Sequence, residues 1–281
     1  MKRRRLSVVI LTKNEEARIG RCLSSVAWAD EIVVVDGMST DRTVEICKQA
    51  GARVMQHAFE GSFAIDRNLG LETATGDWVL QIDADDVATP EFRRVVTQML
   101  ADPPEHAAMK FRRKSYLLGR FMRYGGWYHS LPNLVRRGAV RYEGLVHERP
   151  IVGGTIGELD ADIENYPCED FHAFCERHNR YTSLAAAELL RTAGRLDQRQ
   201  IRRAMVRRTW KTFWKSYVKK QGFREGLHGL VFAVFFSGVE FLKWTKYWQL
   251  VHGDPSVAKA RAEQTALATR SAPNAEGRQG T

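Results

Sequence analysis

The segment Val79-Leu80-Gln81-Ile82-Asp83-Ala84-Asp85-Asp86 is an apolar run that ends in three carboxylates within four residues. A short apolar run of this kind reads as a buried strand. Acids gathered at one strand tip are costly unless a cation sits among them. A hard divalent metal, Mn2+ or Mg2+, suits them, because it takes oxygen ligands and binds through one or two carboxylates plus the phosphates of a substrate. A solvated loop start ahead of the helix opened by Thr89-Pro90-Glu91 would explain the same residues, so the weight must come from elsewhere in the chain.

The preceding residues supply it. Leu6-Ser7-Val8-Val9-Ile10-Leu11 is a continuous apolar run followed by the polar Thr12-Lys13-Asn14-Glu15-Glu16, and Glu31-Ile32-Val33-Val34-Val35-Asp36 ends in an acid followed by Gly37-Met38-Ser39-Thr40-Asp41. Both read as parallel strands buried on two faces. Helices are expected over about 17–28, 42–50 and 62–74, with a shorter strand at 52–56. The order β-α-β-α-β-α-β argues for a mostly parallel sheet with helices on both faces. Ligands of such sheets lie beyond the carboxyl ends of the strands. Thr12, Asp36 and Asp83 therefore share one rim. Neither G-x-G-x-x-G nor G-x-x-x-x-G-K-[ST] follows the first strand, which disfavours dinucleotide redox and P-loop chemistry.

Composition narrows the partners. The chain has 281 residues and a formal net charge of +10, with a pI near 9.6. An anionic partner is implied: nucleic acid, an anionic membrane surface or a phosphorylated substrate. Cys22, Cys47, Cys168 and Cys175 are irregularly spaced and fit reduced thiols in the cytoplasm. The run Leu6 to Leu11 is too short for a signal peptide. Tyr124-Gly125-Gly126-Trp127-Tyr128-His129 could stack a sugar ring or pack in the core.

Residues 151–170 read as irregular, and a helix follows from about 168 to 195. Cys168, His172, Cys175 and His178 on that helix could not wrap a tetrahedral zinc, and a packed face is expected instead. Residues 191–224 hold twelve Lys or Arg and one acid, Asp197, interleaved with Trp210, Phe213, Trp214 and Tyr217. This is the pattern of a basic helix that lies on an anionic membrane. Residues 226–242 are apolar but at the short limit of a span, which favours an interfacial or re-entrant helix. Lys243, Trp244, Lys246, Tyr247 and Trp248 read as its interface anchor. The expected organisation is a catalytic domain over 1–150, a helical, membrane-associating region over 151–253 and a disordered tail over 254–281.

Residues 7–148 resemble the family-two glycosyltransferases of the GT-A fold, an α/β, Rossmann-like fold for nucleotide-diphosphate sugars. The resemblance rests on Thr12-Lys13-Asn14-Glu15-Glu16, on Val35-Asp36-Gly37-Met38-Ser39-Thr40-Asp41-Arg42-Thr43, on Arg67-Asn68-Leu69-Gly70, on Gly76-Asp77-Trp78-Val79-Leu80 and on Asp83-Ala84-Asp85-Asp86. They fall in the family's order over about half the chain. Val146-His147-Glu148 resembles the bacterial branch that includes lipopolysaccharide core β-glucosyltransferases.

The resemblance implies roles. Thr12 and Asn14, with Glu15 and Ser39 of the same segments, would hold the nucleotide, and Asp36 would accept from the base. Arg67 would brace the base or diphosphate, Asp83 the ribose, and Asp85 the metal. Glu148 would be the catalytic base, with His147 as a metal or diphosphate ligand. Asp86, Glu143 and His147 are the alternative bases. Direct in-line attack would give inversion without a covalent intermediate. The implied reaction moves a hexose such as glucose from a UDP-sugar to a lipid-linked acceptor, at the cytoplasmic face of the bacterial inner membrane. The acceptor would be lipopolysaccharide core; polyprenyl phosphate, capsule or exopolysaccharide intermediates are alternatives. Nucleotidyl transfer onto sugar phosphates would want a glycine-rich phosphate loop, which is missing. A basic nucleic-acid-binding protein is the non-enzyme alternative; no nucleic-acid partner is expected on the leading reading.

Overall fold

In the computed structural model, residues 3–59, 62–144 and 149–253 are described. The apolar runs and the shorter, half-exposed Arg53–Gln56 form four parallel strands: β1 (Leu6–Thr12), β2 (Glu31–Asp36), β3 (Arg53–Gln56) and β4 (Trp78–Asp83). Helices α1 (Glu16–Val26), α2 (Thr43–Gln49) and α3 (Phe63–Thr73) connect them. Successive side chains of a strand point to opposite faces. Val8 and Ile10 accordingly join Ile19, Leu23 and Phe92 in one core, whereas Val9 joins Val33, Ala64 and Val79 in another.

Register sets the rim. Thr12 pairs with Asp36, and Leu11 pairs with Asp83, so three strand tips end level. At about 4.8 Å per strand spacing, Asp36 and Asp83, which flank β1, stand roughly 10 Å apart across the sheet.

The sheet continues in antiparallel and mixed fashion. β5 (Asp86–Ala88), α4 (Pro90–Ala101), β6 (Ala108–Leu117), β7 (Arg120–Phe121) and β8 (His129–Arg136) follow. Thr89 caps α4 by accepting from the Phe92 N–H at 3.0 Å, with Pro90 in the first turn. Then come β9 (Val140–Glu143), β10 (Arg149–Val152) and β11 (Ile156–Cys168). The strand order is β3-β2-β1-β4-β8-β6-β11-β5, with β7 beside β6 and with β9 and β10 as a separate pair.

The expectation that 151–170 is irregular fails. β11 is a thirteen-residue strand that pairs with β6 and β5, and the sheet runs past the boundary expected at 150. Gly157, Leu159, Ala161, Ile163 and Asn165 alternate inward. Two of these are small and one is polar, and their neighbours are acids, so the run is too weakly hydrophobic to stand out as a strand.

Three helices complete the described chain: α5 (Phe171–Ala193), α6 (Gln198–Phe213) and α7 (Leu227–His252). The basic stretch 191–224 is not one helix. It breaks first at Gly194 (φ 68°) between α5 and α6; after α6 it widens into a π turn over Trp214–Lys219 and then tightens into a 3-10 turn over Gly222–Glu225, where Gln221 at φ 55° and Gly226 at φ 61° turn the chain back. Ile201 packs near Tyr247 and Val251, and a Cβ on Gly229 would meet the Gly222 carbonyl at 1.8 Å, so α6 and α7 form an antiparallel hairpin.

The expected anchor is also corrected. Trp244 and Tyr247 are buried, and Tyr247 Oη donates to the Gly194 carbonyl at 2.6 Å. Lys246 Nζ donates to Asn179, Thr182 and Ser183 of α5, and Lys243 pairs with Glu240 at 2.6 Å. Of the five residues only Trp248 is exposed. Trp127 packs against Phe174, Phe232 and Phe236, so the glycine-rich aromatic loop joins the sheet to α5 and α7 as core.

A Cβ on Gly70 would lie 2.3 Å from Val9 Cγ1, which is why α3 can seat Arg67 so close to the sheet. Gly70→Ala is expected to cost about 1–3 kcal/mol by overpacking. Urea denaturation checks this, and an unchanged midpoint would show that the contact does not set the position of α3.

Candidate active site

The loops after β1 and β2 are laced together. Thr12 Oγ1 donates to Asp36 Oδ1 at 3.0 Å, and the Ser39 N–H donates to Asp36 Oδ2 at 2.9 Å. Ser39 Oγ also donates to Asp36, and Gln56 Nε2 reaches Asp36 Oδ2 at 3.3 Å. Asn14 occupies the left-handed region at φ 55°, which Asn tolerates better than most residues. Its Oδ1 accepts from the Thr40 N–H at 2.8 Å, while its own N–H donates to Ser39 Oγ at 2.8 Å. A carboxylate has about four acceptor sites, and these contacts fill those of the fully buried Asp36. A nucleobase N–H would have to replace one of them, and the Gln56 contact is the longest.

Across β1, Asp83, Asp85 and Asp86 each turn an oxygen inward, and these ligand atoms lie within 4.8 Å of one another. Arg113 on β6 binds two of them: Nη2 donates to Asp83 Oδ2 at 2.6 Å and Nε to Asp86 Oδ1 at 2.8 Å. Arg67 on α3 donates to Asp83 Oδ1 at 3.2 Å. Asn165 on β11 donates to both Asp85 Oδ1 and Asp86 Oδ1 at 2.9 Å. Asp86 also accepts from the Asp83 N–H at 2.9 Å. Asp85 is the acid least tied to arginine, with Arg177 of α5 at 3.5 Å from its Oδ2. Glu15 lies on the same side, paired with Arg18 at 2.7 Å.

The electrostatics follow from burial and partners. Burial pushes Asp83 up, but Arg113 and Arg67 outweigh it and hold the carboxyl well below its usual range. Burial pushes Asp86 up; Arg113 opposes this and the neighbouring Asp83 and Asp85 add to it, so Asp86 binds its proton more readily than a free aspartate. Glu15 is likewise raised by burial, with Arg18 opposing. The donor set is all oxygen and acidic, as a hard divalent cation requires.

The structure therefore gathers Thr12, Asn14, Asp36 and Ser39 in one cluster and Arg67, Asp83 and Asp85 in a second at the next strand tip, with Glu15 beside Asp85. His147 and Glu148 lie outside the described residues. Of the alternative bases, Glu143 pairs with Arg141 at 2.6 Å on the outside of β9, and Asp86 is buried under Arg113 and Asn165. Arg113, Asn165 and Arg177 were not anticipated. Arg113 shares the inward face of β6 with Met109, Phe111 and Ser115, and a cation on a buried strand face demands an acid partner. That was the available signal.

Cys168 is buried at the end of β11, and His178 packs on Phe174 at 4.2 Å between centroids.

A parallel βαβ half-sheet with acids at the tips of the two strands that flank β1, extended by mixed strands, defines the GT-A class of nucleotide-sugar transferases. Within it, the chain belongs to glycosyl transferase family 2, whose family model matches residues 7–150. An uncharacterized glycosyltransferase of Rickettsia felis is 26% identical over 277 residues, covering 93% of this chain and 95% of the relative. The lipopolysaccharide core biosynthesis glycosyltransferase LpsC of Rhizobium meliloti is 32% identical over 164 residues, covering 54% of this chain and 59% of LpsC. The crystal structure of S. aureus TarS 1–349 superposes with a TM-score of 0.44 at 17% identity, covering 89% of this chain and 92% of that fragment.

Removing Arg113 would leave the buried Asp86 without its cation and the part-exposed Asp83 with Arg67 alone. Arg113→Met is expected to destabilise the fold by about 3–5 kcal/mol at neutral pH. Asp83 and Asp86 would then both titrate higher in the folded than in the unfolded chain. The native state would bind the extra protons, and the variant should recover stability relative to wild type as pH falls toward 5. Thermal unfolding across that range checks it; a variant as stable as wild type at pH 7 would show that Arg113 does not carry the charge compensation.

Proposed function

We propose that this family 2 glycosyltransferase transfers a hexose such as glucose from a UDP-sugar, with inversion, to a lipid-linked glycan of the cell envelope at the cytoplasmic face of the inner membrane. The observation that carries the reading is the convergence of Asp83, Asp85 and Asp86 at the tip of β4, one strand away from the Thr12–Asp36 cluster. One side suits a nucleoside and the other a cation. Similarity to LpsC supports lipopolysaccharide core as the acceptor.

The residues divide the work. Thr12, Asn14, Glu15 and Ser39 shape the loop that receives the nucleotide, and Asp36 holds that loop and accepts from the base once Gln56 gives way. Asp85, oriented by Asn165, would hold Mn2+ or Mg2+, with His147 as a further ligand, and Asp83 would meet the ribose. When bound, the cation stabilises the negative charge that develops on the departing diphosphate. Arg67 and Arg177 flank the acids, where they can meet diphosphate oxygens. Glu148 takes the proton from the acceptor hydroxyl, and no unusual pKa is needed because that hydroxyl acidifies only in the transition state. Direct displacement from the face opposite the nucleotide inverts the anomeric carbon.

A panel of nucleotide sugars, scored for hydrolysis and for protection against thermal unfolding with and without Mn2+, tests this. A UDP-hexose should give the largest metal-dependent effect. Asp85→Asn and Glu148→Gln should each lower turnover by at least about 100-fold while keeping the wild-type circular dichroism. Undiminished activity of Asp85→Asn in chelator would remove the metal role, and no response to any nucleotide sugar would overturn the function.

A further inference from the structure

The α6–α7 hairpin presents a surface that the cleft does not use. Val206, Trp210 and Trp214 follow one another at four-residue spacing, and they are 64%, 61% and 44% exposed. Leu227, Leu230, Val234 and Phe241 form a matching exposed stripe along α7. Between the two helices runs a groove of about 600 Å³ whose lining includes Val206, Trp210, Phe213, Val234, Gly238 and Phe241. Exposed apolar surface this continuous marks an interaction site.

Its rim is cationic. Arg203, Arg207, Lys211 and Lys215 follow at four-residue spacing, and the first three stand three residues before Val206, Trp210 and Trp214 of the apolar stripe. Among the described residues none of the four is in an ion pair. Aromatic and aliphatic side chains beside uncompensated Lys and Arg complement one partner in particular: an anionic bilayer, which offers phosphates at its surface and acyl chains just beneath.

The same packing decides how α7 meets that bilayer. At 1.5 Å per residue its 26 residues span about 39 Å, enough to cross. Yet α6 runs antiparallel along it, joined through Ile201 and Tyr247 at one end and through Gly222 and Gly229 at the other. A crossing α7 would draw the α6 cations into hydrocarbon, which is costly for each of them. We propose that the hairpin lies flat on an anionic membrane, with Val206, Trp210, Trp214, Val234 and Phe241 entering the headgroup–acyl boundary and the arginine–lysine row meeting lipid phosphates. This does not depend on which donor or acceptor the cleft uses.

Co-sedimentation of the full chain with vesicles, without substrate, tests the proposal. Wild type should bind phosphatidylcholine–phosphatidylglycerol vesicles at least about tenfold more tightly than phosphatidylcholine alone, and raised salt should release it. Arg203→Glu combined with Arg207→Glu should weaken binding about twentyfold or more. Val206→Ser combined with Trp210→Ser should weaken it severalfold. All four residues are exposed, so both variants should keep the wild-type melting temperature, and nucleotide-sugar turnover in vesicle-free solution should be unchanged. Equal binding to both vesicle types, or full binding by the charge-reversed variant, would overturn the proposal. So would retention that only detergent reverses, which would mean that α7 crosses. A vesicle-free dimer abolished by Trp210→Ser would assign the face to a second copy of the chain, and preference for nucleic acid over vesicles would assign it there.

Discussion

Three carboxylates crowded at the end of a buried strand cannot stand without compensation, and the rest of the sheet can be understood as supplying it. Asp83, Asp85 and Asp86 lie where β4 leaves the core. Arg113 reaches them from β6, Arg67 from α3 and Asn165 from β11. The cost of an unpaired buried charge exceeds that of most single packing defects, so the mixed half of the sheet is tied to the parallel half at this point. Its register is constrained as much by Arg113 meeting Asp83 and Asp86 as by the apolar contacts beneath.

The C-terminal helices are linked to the same point. Arg177 on α5 approaches Asp85 and also donates to the Pro167 carbonyl, which fixes the start of α5 against the end of β11. Phe174, one turn earlier, packs with Trp127 and Phe235. A helix that seats on α7 through aromatic packing thus presents a cation to the acidic cluster. Docking surface and cleft are separate, but one helix touches both supports.

What could be read from the sequence follows the physics of each element. β1, β2 and β4 are long β-branched runs with clear ends, and the level tips of Thr12, Asp36 and Asp83 follow from parallel pairing alone. β11 could not be seen, because its inward positions are Gly157, Leu159, Ala161, Ile163 and Asn165, which carry little hydrophobic contrast. Arg113 and Asn165 needed the strand register before their inward direction meant anything. The basic stretch looked like one helix because no proline interrupts it. Gly194 and Gln221, at positive φ, make the breaks. Trp244 and Tyr247 have the composition of an interface anchor, but the same aromatic bodies with a polar tip serve equally in a helix–helix seam when partners such as Gly194 are within reach.

The resting charge of the cluster bears on how a metal could be used. Arg113 and Arg67 match two of the three carboxylates, and the third, Asp85, keeps Asn165 and a distant Arg177. The cluster is near enough to neutral to fold without a metal, yet it leaves one carboxylate oriented and only loosely neutralised. A dication taken up there would meet about one net negative charge at most, since Arg177 also offsets Asp85, rather than three, and so would keep part of its own charge. A diphosphate needs that residual charge. A site with all three acids free would bind the ion more tightly and have less positive potential left for the nucleotide. The arginines would thus tune the cluster toward a cation that a substrate can share.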